Sequence, residues 1–144
     1  MSFRICSIGA VPLLLLLIFS TKAIAQEESK KNDVIEKEIF PTWDIDARPE
    51  FPGSIESFNL FVVSNFKMPP EAVKNKVKGK IYMSFIVEKD GSLSGFKVIR
   101  DIGYGTGEEA IRVLKLSPKW IPGSNKGVIV RTIFYTPIPT QVVE

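Results

Sequence analysis

The stretch that most restricts the fold is residues 80–100, KIYMSFIVEKDGSLSGFKVIR. Ile81, Met83, Phe85 and Val87 alternate with Tyr82, Ser84 and Ile86, and a second extended run resumes at Leu93. Between them stands Asp90-Gly91, a dipeptide that closes a tight hairpin turn. A chain so patterned must form two antiparallel strands with one strongly apolar face, and that face needs a second layer to cover it. Asp90 also invites comparison with a calcium loop, but the required series of oxygen ligands is missing, so the turn is the better account.

Helices supply the cover. Ser54 is a capping residue, and Ile55, Phe58, Phe61 and Val62 recur at spacings of three and four. Pro70 at a first helical position, with Val73 and Val77 four apart, predicts a short second helix or turn closing at Gly79. Lys74, Lys76, Lys78 and Lys80 read as a solvated rim. Thr106 and Glu109 fit a capping box for a third helix with Ala110, Val113 and Leu114 inward. Gly103, Gly105 and Gly107 precede it, but the third glycine falls one position early for a dinucleotide-binding turn, and the strand before them belongs to a hairpin.

Two further strands are expected. Trp43 and Ile45 alternate with polar neighbours as a short edge strand. The run from Val128 to Thr136 is the most β-favouring of the chain, and Pro137 and Pro139 should end its pairing. The order strand, helix, short helix, hairpin, helix, strand predicts an α+β two-layer sandwich: a small, largely antiparallel sheet with helices packed on one face.

The chain has 144 residues, one domain's worth, and begins with MSFRICSIGAVPLLLLLIFSTKAIA, which has a basic head, an apolar run and a small-residue end. Residues 1–25 are expected to be a signal peptide, 26–40 a charged flexible tether, and 41–144 the folded domain. Cleavage would remove Arg4 and Lys22, taking the formal charge from +3 to +1, with 17 basic against 16 acidic residues. That balance gives no electrostatic reason to expect nucleic acid. The one cysteine, Cys6, leaves with the signal, and the chain contains no histidine. Neither an imidazole base, a thiolate nucleophile nor an ordinary zinc site is then available, and the expectation is a non-enzyme without cofactor or metal.

Four pieces, PEFPGSIESFNLFVVSNFKMPPEAV, GKIYMSFIVEKDGSLSGFKVIRDIG, EEAIRVLKLSPKWIPGSNKG and VIVRTIFYTPI, together resemble the carboxy-terminal domain of the TonB family, especially forms common in the Bacteroidetes. The likeness spans about residues 47–139 and rests on the joint order of P-E-F-P-G, the glycine before the first hairpin strand, D-G at its turn and K-W-x-P-G before the last strand. The resemblance implies a protein-interaction module that engages the TonB box of outer-membrane TonB-dependent transporters, taken up as an added strand beside the domain's last strand. Carried over, the pairing residues are Val128, Ile129, Val130, Arg131, Thr132, Ile133, Phe134, Tyr135 and Thr136. Val128, Val130, Thr132 and Phe134 point one way and Ile129, Arg131, Ile133 and Tyr135 the other, with Arg131 and Tyr135 expected toward solvent or partner.

A full transducer of this family carries an amino-terminal membrane helix with a motor-coupling histidine and a long proline-rich spacer. Here residues 26–47 contain one proline and reach about 75 Å when fully stretched. Met68-Pro69 also stands where the family has a tyrosine-proline pair. The expected location is the periplasm after cleavage, as a short form. The alternatives are an inner-membrane-anchored energy transducer working with proton-driven motor proteins, or a structural homodimer joined through edge strands. Trp120, after the third helix, is expected to plug the core rather than serve a ligand.

Overall fold

A computed structural model describes residues 38–140. The expected signal peptide, most of the expected tether and the last four residues lie outside the described residues. Strand β1 (Ile39–Pro41) is followed by helices α1 (Ile55–Asn65) and α2 (Pro70–Lys74), the hairpin β2 (Gly79–Val87) and β3 (Leu93–Arg100), and helix α3 (Thr106–Lys115). A two-residue hairpin, β4 (Ser124–Asn125) and β5 (Val128–Ile129), leads into the last strand, β6 (Arg131–Thr140). The main sheet has the order β1-β6-β2-β3, with all contacts antiparallel except β1 to β6. The α+β expectation is met.

The alternation in β2 is what aims its side chains. Ile81, Met83, Phe85 and Val87 are fully buried and meet Phe58 and Val62 of α1 and Ala110, Val113 and Leu114 of α3 in one core. α1 starts where expected: the Ser54 hydroxyl accepts from the Ser57 N–H at 3.3 Å. The turn between β2 and β3 closes through Glu88 N–H to Ser92 O (2.8 Å) and Gly91 N–H to Glu88 O (2.9 Å), with the Asp90 carboxylate accepting from Ser92 N–H at 3.0 Å.

Trp120 joins this turn to the core. Its backbone N–H donates to Gly91 O at 2.8 Å, while its ring sits 5.1–5.7 Å from Phe51, Phe58, Phe85 and Phe134 and is 3% exposed. The indole N–H is satisfied by the Ser117 hydroxyl at 2.9 Å, which removes the cost of burying it. Trp120 is a core plug.

Three local expectations are corrected. The strand expected at Trp43–Ile45 is a turn, with Asp44 N–H on Pro41 O at 3.0 Å, and the pairing falls earlier, at Ile39–Pro41. Ile39 and Phe40, assigned to the tether, are therefore in the sheet. The capping box does not form, because α3 is capped by Gly105 in a left-handed conformation and Thr106 lies inside the helix, donating to Gly103 O at 2.7 Å. Glu109 is instead spent between elements. It accepts from Lys67 N–H at 2.8 Å and pairs with Arg112, whose guanidinium also donates to Asn65 O at 2.7 Å, tying the end of α1 to α3.

Candidate partner-binding edge

The nine residues expected to bind a partner do not form one strand. Val128 and Ile129 belong to β5 and pair with β4 (Asn125↔Val128, Ser124↔Ile129). Val130 is a buried link whose N–H donates to Gly123 O at 3.0 Å. Only Arg131 to Thr136 lie in β6, and β6 does not stop there: it continues through both prolines to Thr140, in register with β2 from Val87↔Thr132 to Gly79↔Thr140. The expectation that proline ends the pairing is overturned.

The prolines themselves explain how. The ladder crosses Tyr82↔Pro137 and Lys80↔Pro139, and proline has no N–H to give to β2. In an antiparallel pair the residues alternate between those that bond the neighbour and those that face away. Thr132, Phe134, Thr136, Ile138 and Thr140 must therefore bond β2, and Arg131, Ile133, Tyr135, Pro137 and Pro139 turn their backbone groups to the outer edge. Prolines two apart in a strand thus mark an edge, a signal present in the sequence.

That outer edge has two parts. β1 covers the first, with Ile39↔Arg131, Phe40↔Thr132 and Pro41↔Ile133 in parallel register. Beyond Ile133 no strand lies on this outer edge of β6 among the described residues. The uncovered part offers three outward carbonyls, at Tyr135, Pro137 and Pro139, but one N–H, at Tyr135.

The side chains follow the same alternation. Thr132, Thr136, Ile138 and Thr140 are buried beneath the helices, and Phe134 packs against the core. Thr132 Oγ1 is buried with no hydrogen-bond partner. Tyr135 and Pro137 are exposed on the opposite face, where with Tyr82 and Ile99 they line a groove of about 350 Å³. Trp43, 70% exposed, stacks on Tyr135 with ring centroids 5.9 Å apart at 26°. On the helix side, Leu60 and Val63 of α1 with Pro137 and Pro139 line a cleft of about 460 Å³.

Arg131 is committed within the fold. Its guanidinium grips both carboxylate oxygens of Glu88, with Nε to Oε2 at 2.6 Å and Nη2 to Oε1 at 2.9 Å. Ser94 also donates to Glu88 Oε1. The arginine, then the serine, hold the Glu88 carboxyl below the usual glutamate range against the opposing effect of burial. The side chain expected to meet a partner thus pins the start of β6 to the end of β2. The sequence pattern does not reveal β1, the stacking of Trp43 on Tyr135 or the Pro137–Thr140 end of the edge.

Among the described residues no helix is long and apolar enough to cross a membrane, and no three His, Cys, Asp or Glu side chains gather as a metal site. No curated protein matches the chain. The NMR solution structure of the Helicobacter pylori TonB carboxy-terminal domain (residues 194–285) is similar at 23% identity and a TM-score of 0.42, over 60% of this chain and 91% of that one. The family model described as Gram-negative bacterial TonB protein C-terminal matches residues 64–139, from the last turn of α1 to the penultimate residue of β6. By that match over more than half its length, the chain belongs to the family of TonB carboxy-terminal domains.

Proposed function

We propose that the protein is a periplasmic interaction module that takes up extended amino-terminal segments of outer-membrane TonB-dependent transporters by strand addition along the outer edge of β6, as part of TonB-dependent transport. The observation that carries this reading is the outer edge of β6 after Ile133, which no strand among the described residues pairs and which is flanked by apolar surface on both faces. An exposed edge offers backbone bonds that tolerate varied partner side chains, while flanking apolar clefts give alternate residues a place to sit. At about 0.5–1.5 kcal/mol net per bond, such a contact is reversible.

The test is a backbone NMR titration of the full chain with amino-terminal peptides of transporters from the same cell. Shifts should concentrate on Arg131–Thr140 and the facing residues of α1. Saturable binding with shifts confined to β3 or to the far side of the helices would defeat the proposal.

A further inference from the structure

We infer that the segment Ile39–Trp43 is a built-in stand-in for the partner strand, which a partner must displace. The inference rests on the strand-addition reading above and concerns how that site is regulated. Its starting point is the division of the outer edge. Pro137 and Pro139 delete two of the donors on the uncovered part, so the stretch with both N–H and C=O at every outward residue is Arg131, Ile133 and Tyr135. β1 lies on Arg131–Ile133, and Trp43 lies over the Tyr135 ring. Among the described residues, the chain's own segment therefore occupies the one stretch of the β6 edge where an added strand could make a full set of bonds.

Its hold is weak. β1 is three residues long, none of its side chains is fully buried, and Trp43 touches Tyr135 while remaining largely in solvent. Pro41 has no N–H, and Thr132 spends its own groups on β2, so Phe40 carries the middle of the pairing with its N–H and C=O directed at Arg131 and Ile133. Downstream, the anchorage is firm. Ala47 exchanges both backbone bonds with Ser124 (3.0 and 2.9 Å), Glu50 does the same with Ile121 (3.0 and 2.8 Å), and Phe51 is in the core. Asp46 Oδ2 also accepts from Lys126 N–H at 2.6 Å, so the segment Ile39–Trp43 can peel from β6 while the chain from Asp46 onward stays in place. Each main-chain bond β1 makes changes an equilibrium constant by about two- to twelvefold, and the partner's apparent affinity falls by the fraction of time the edge is covered.

The test uses two peptides on the full-length protein. In the first arm the probe is the chain's own sequence 36–44, EKEIFPTWD, titrated into wild type and into Phe40→Pro, which deletes the N–H that β1 presents to β6. The peptide should shift the amides of Arg131, Ile133 and Tyr135 in the variant at about two- to twelvefold lower concentration than in wild type. Equal affinity in both, or shifts elsewhere, overturns the inference. Trp43→Ala removes only the stacking and serves if Phe40→Pro does not fold. It should gain about two- to threefold, and no gain counts against the inference.

The second arm adds a transporter peptide to wild type and reads both ends of the contact. Shifts along β6 together with loss of exchange protection at Ile39 and Phe40 and movement of the Trp43 indole support displacement. Shifts along β6 with β1 undisturbed overturn displacement but leave strand addition standing. Binding elsewhere defeats strand addition, and the first arm then still decides whether β1 is a removable strand.

Discussion

Replacing Gly91 with alanine should be among the most damaging single-methyl additions in this domain. Gly91 sits in the β2–β3 turn at φ +82°, and a Cβ built there would lie 2.1 Å from the Trp120 carbonyl oxygen and 3.1 Å from its nitrogen. Two costs combine. The left-handed backbone penalises any Cβ by about 1 kcal/mol. The overlap is with main chain, so either the turn or the Trp120 backbone must move, weakening the 2.8 Å bond from Trp120 N–H to Gly91 O and lifting the indole from its four aromatic neighbours. A lost hydrogen bond and an imperfectly packed ring add about 1–3 kcal/mol. The expected loss is about 2–4 kcal/mol, or roughly 10–25 °C in Tm for a domain near 100 residues. Gly103→Ala is the internal control: its φ is +80°, yet nothing lies within 4 Å of the added Cβ, so it should show the backbone cost alone, about 1 kcal/mol. Urea denaturation followed by near-UV circular dichroism measures both. If the two variants lose equal stability, the turn does not support Trp120 and the reasoning fails.

Other outcomes follow from the same geometry. Thr132→Val should stabilise the domain by about 1 kcal/mol in urea denaturation, because the Thr132 hydroxyl is buried without a partner and valine has nearly its shape. Glu88→Gln should cost about 1–2 kcal/mol near neutrality, since it breaks a mostly buried bidentate pair. Because the folded Glu88 pKa is depressed, its contribution is present above the unfolded glutamate pKa and disappears as pH falls through the folded value, so the stabilities of wild type and variant should converge in acid. Pro137→Ala with Pro139→Ala restores two donors to the outer edge of β6. Sedimentation velocity should then show concentration-dependent self-association absent from wild type, and a strictly monomeric double variant would contradict the assigned strand phase.

The hairpin, the inward face of α3, the Ser54 cap and the core position of Trp120 were all legible because each is encoded in neighbouring residues. What escaped reading depends on partners distant in sequence. β1 has three residues and no pattern of its own; it exists because Arg131 and Ile133, some ninety residues later, present unused groups. Thr106 and Glu109 satisfied a local capping rule, yet the left-handed turn at Gly103–Gly105 and the bonds to Lys67 and Arg112 claimed them instead. Along the strand the prolines of β6 look like terminators, whereas they act across it, on one edge only. For the candidate site this mattered most. The last strand is visible in the sequence, but which of its residues offer a free backbone group is a matter of sheet order and phase.

The unbroken register between β2 and β6 has a mechanical consequence. A strand lying along β6 and pulled from its end would load the sheet parallel to the strands, so the pairs from Val87↔Thr132 to Gly79↔Thr140 would bear the force together rather than unzip in turn. The Arg131–Glu88 clamp sits at one end of that ladder and the Thr140 hydroxyl bond to Gly79 O, 2.8 Å, at the other. An edge contact with fewer bonds than the ladder behind it yields first, so tension would part the partner from the domain and leave the domain folded and ready to engage again.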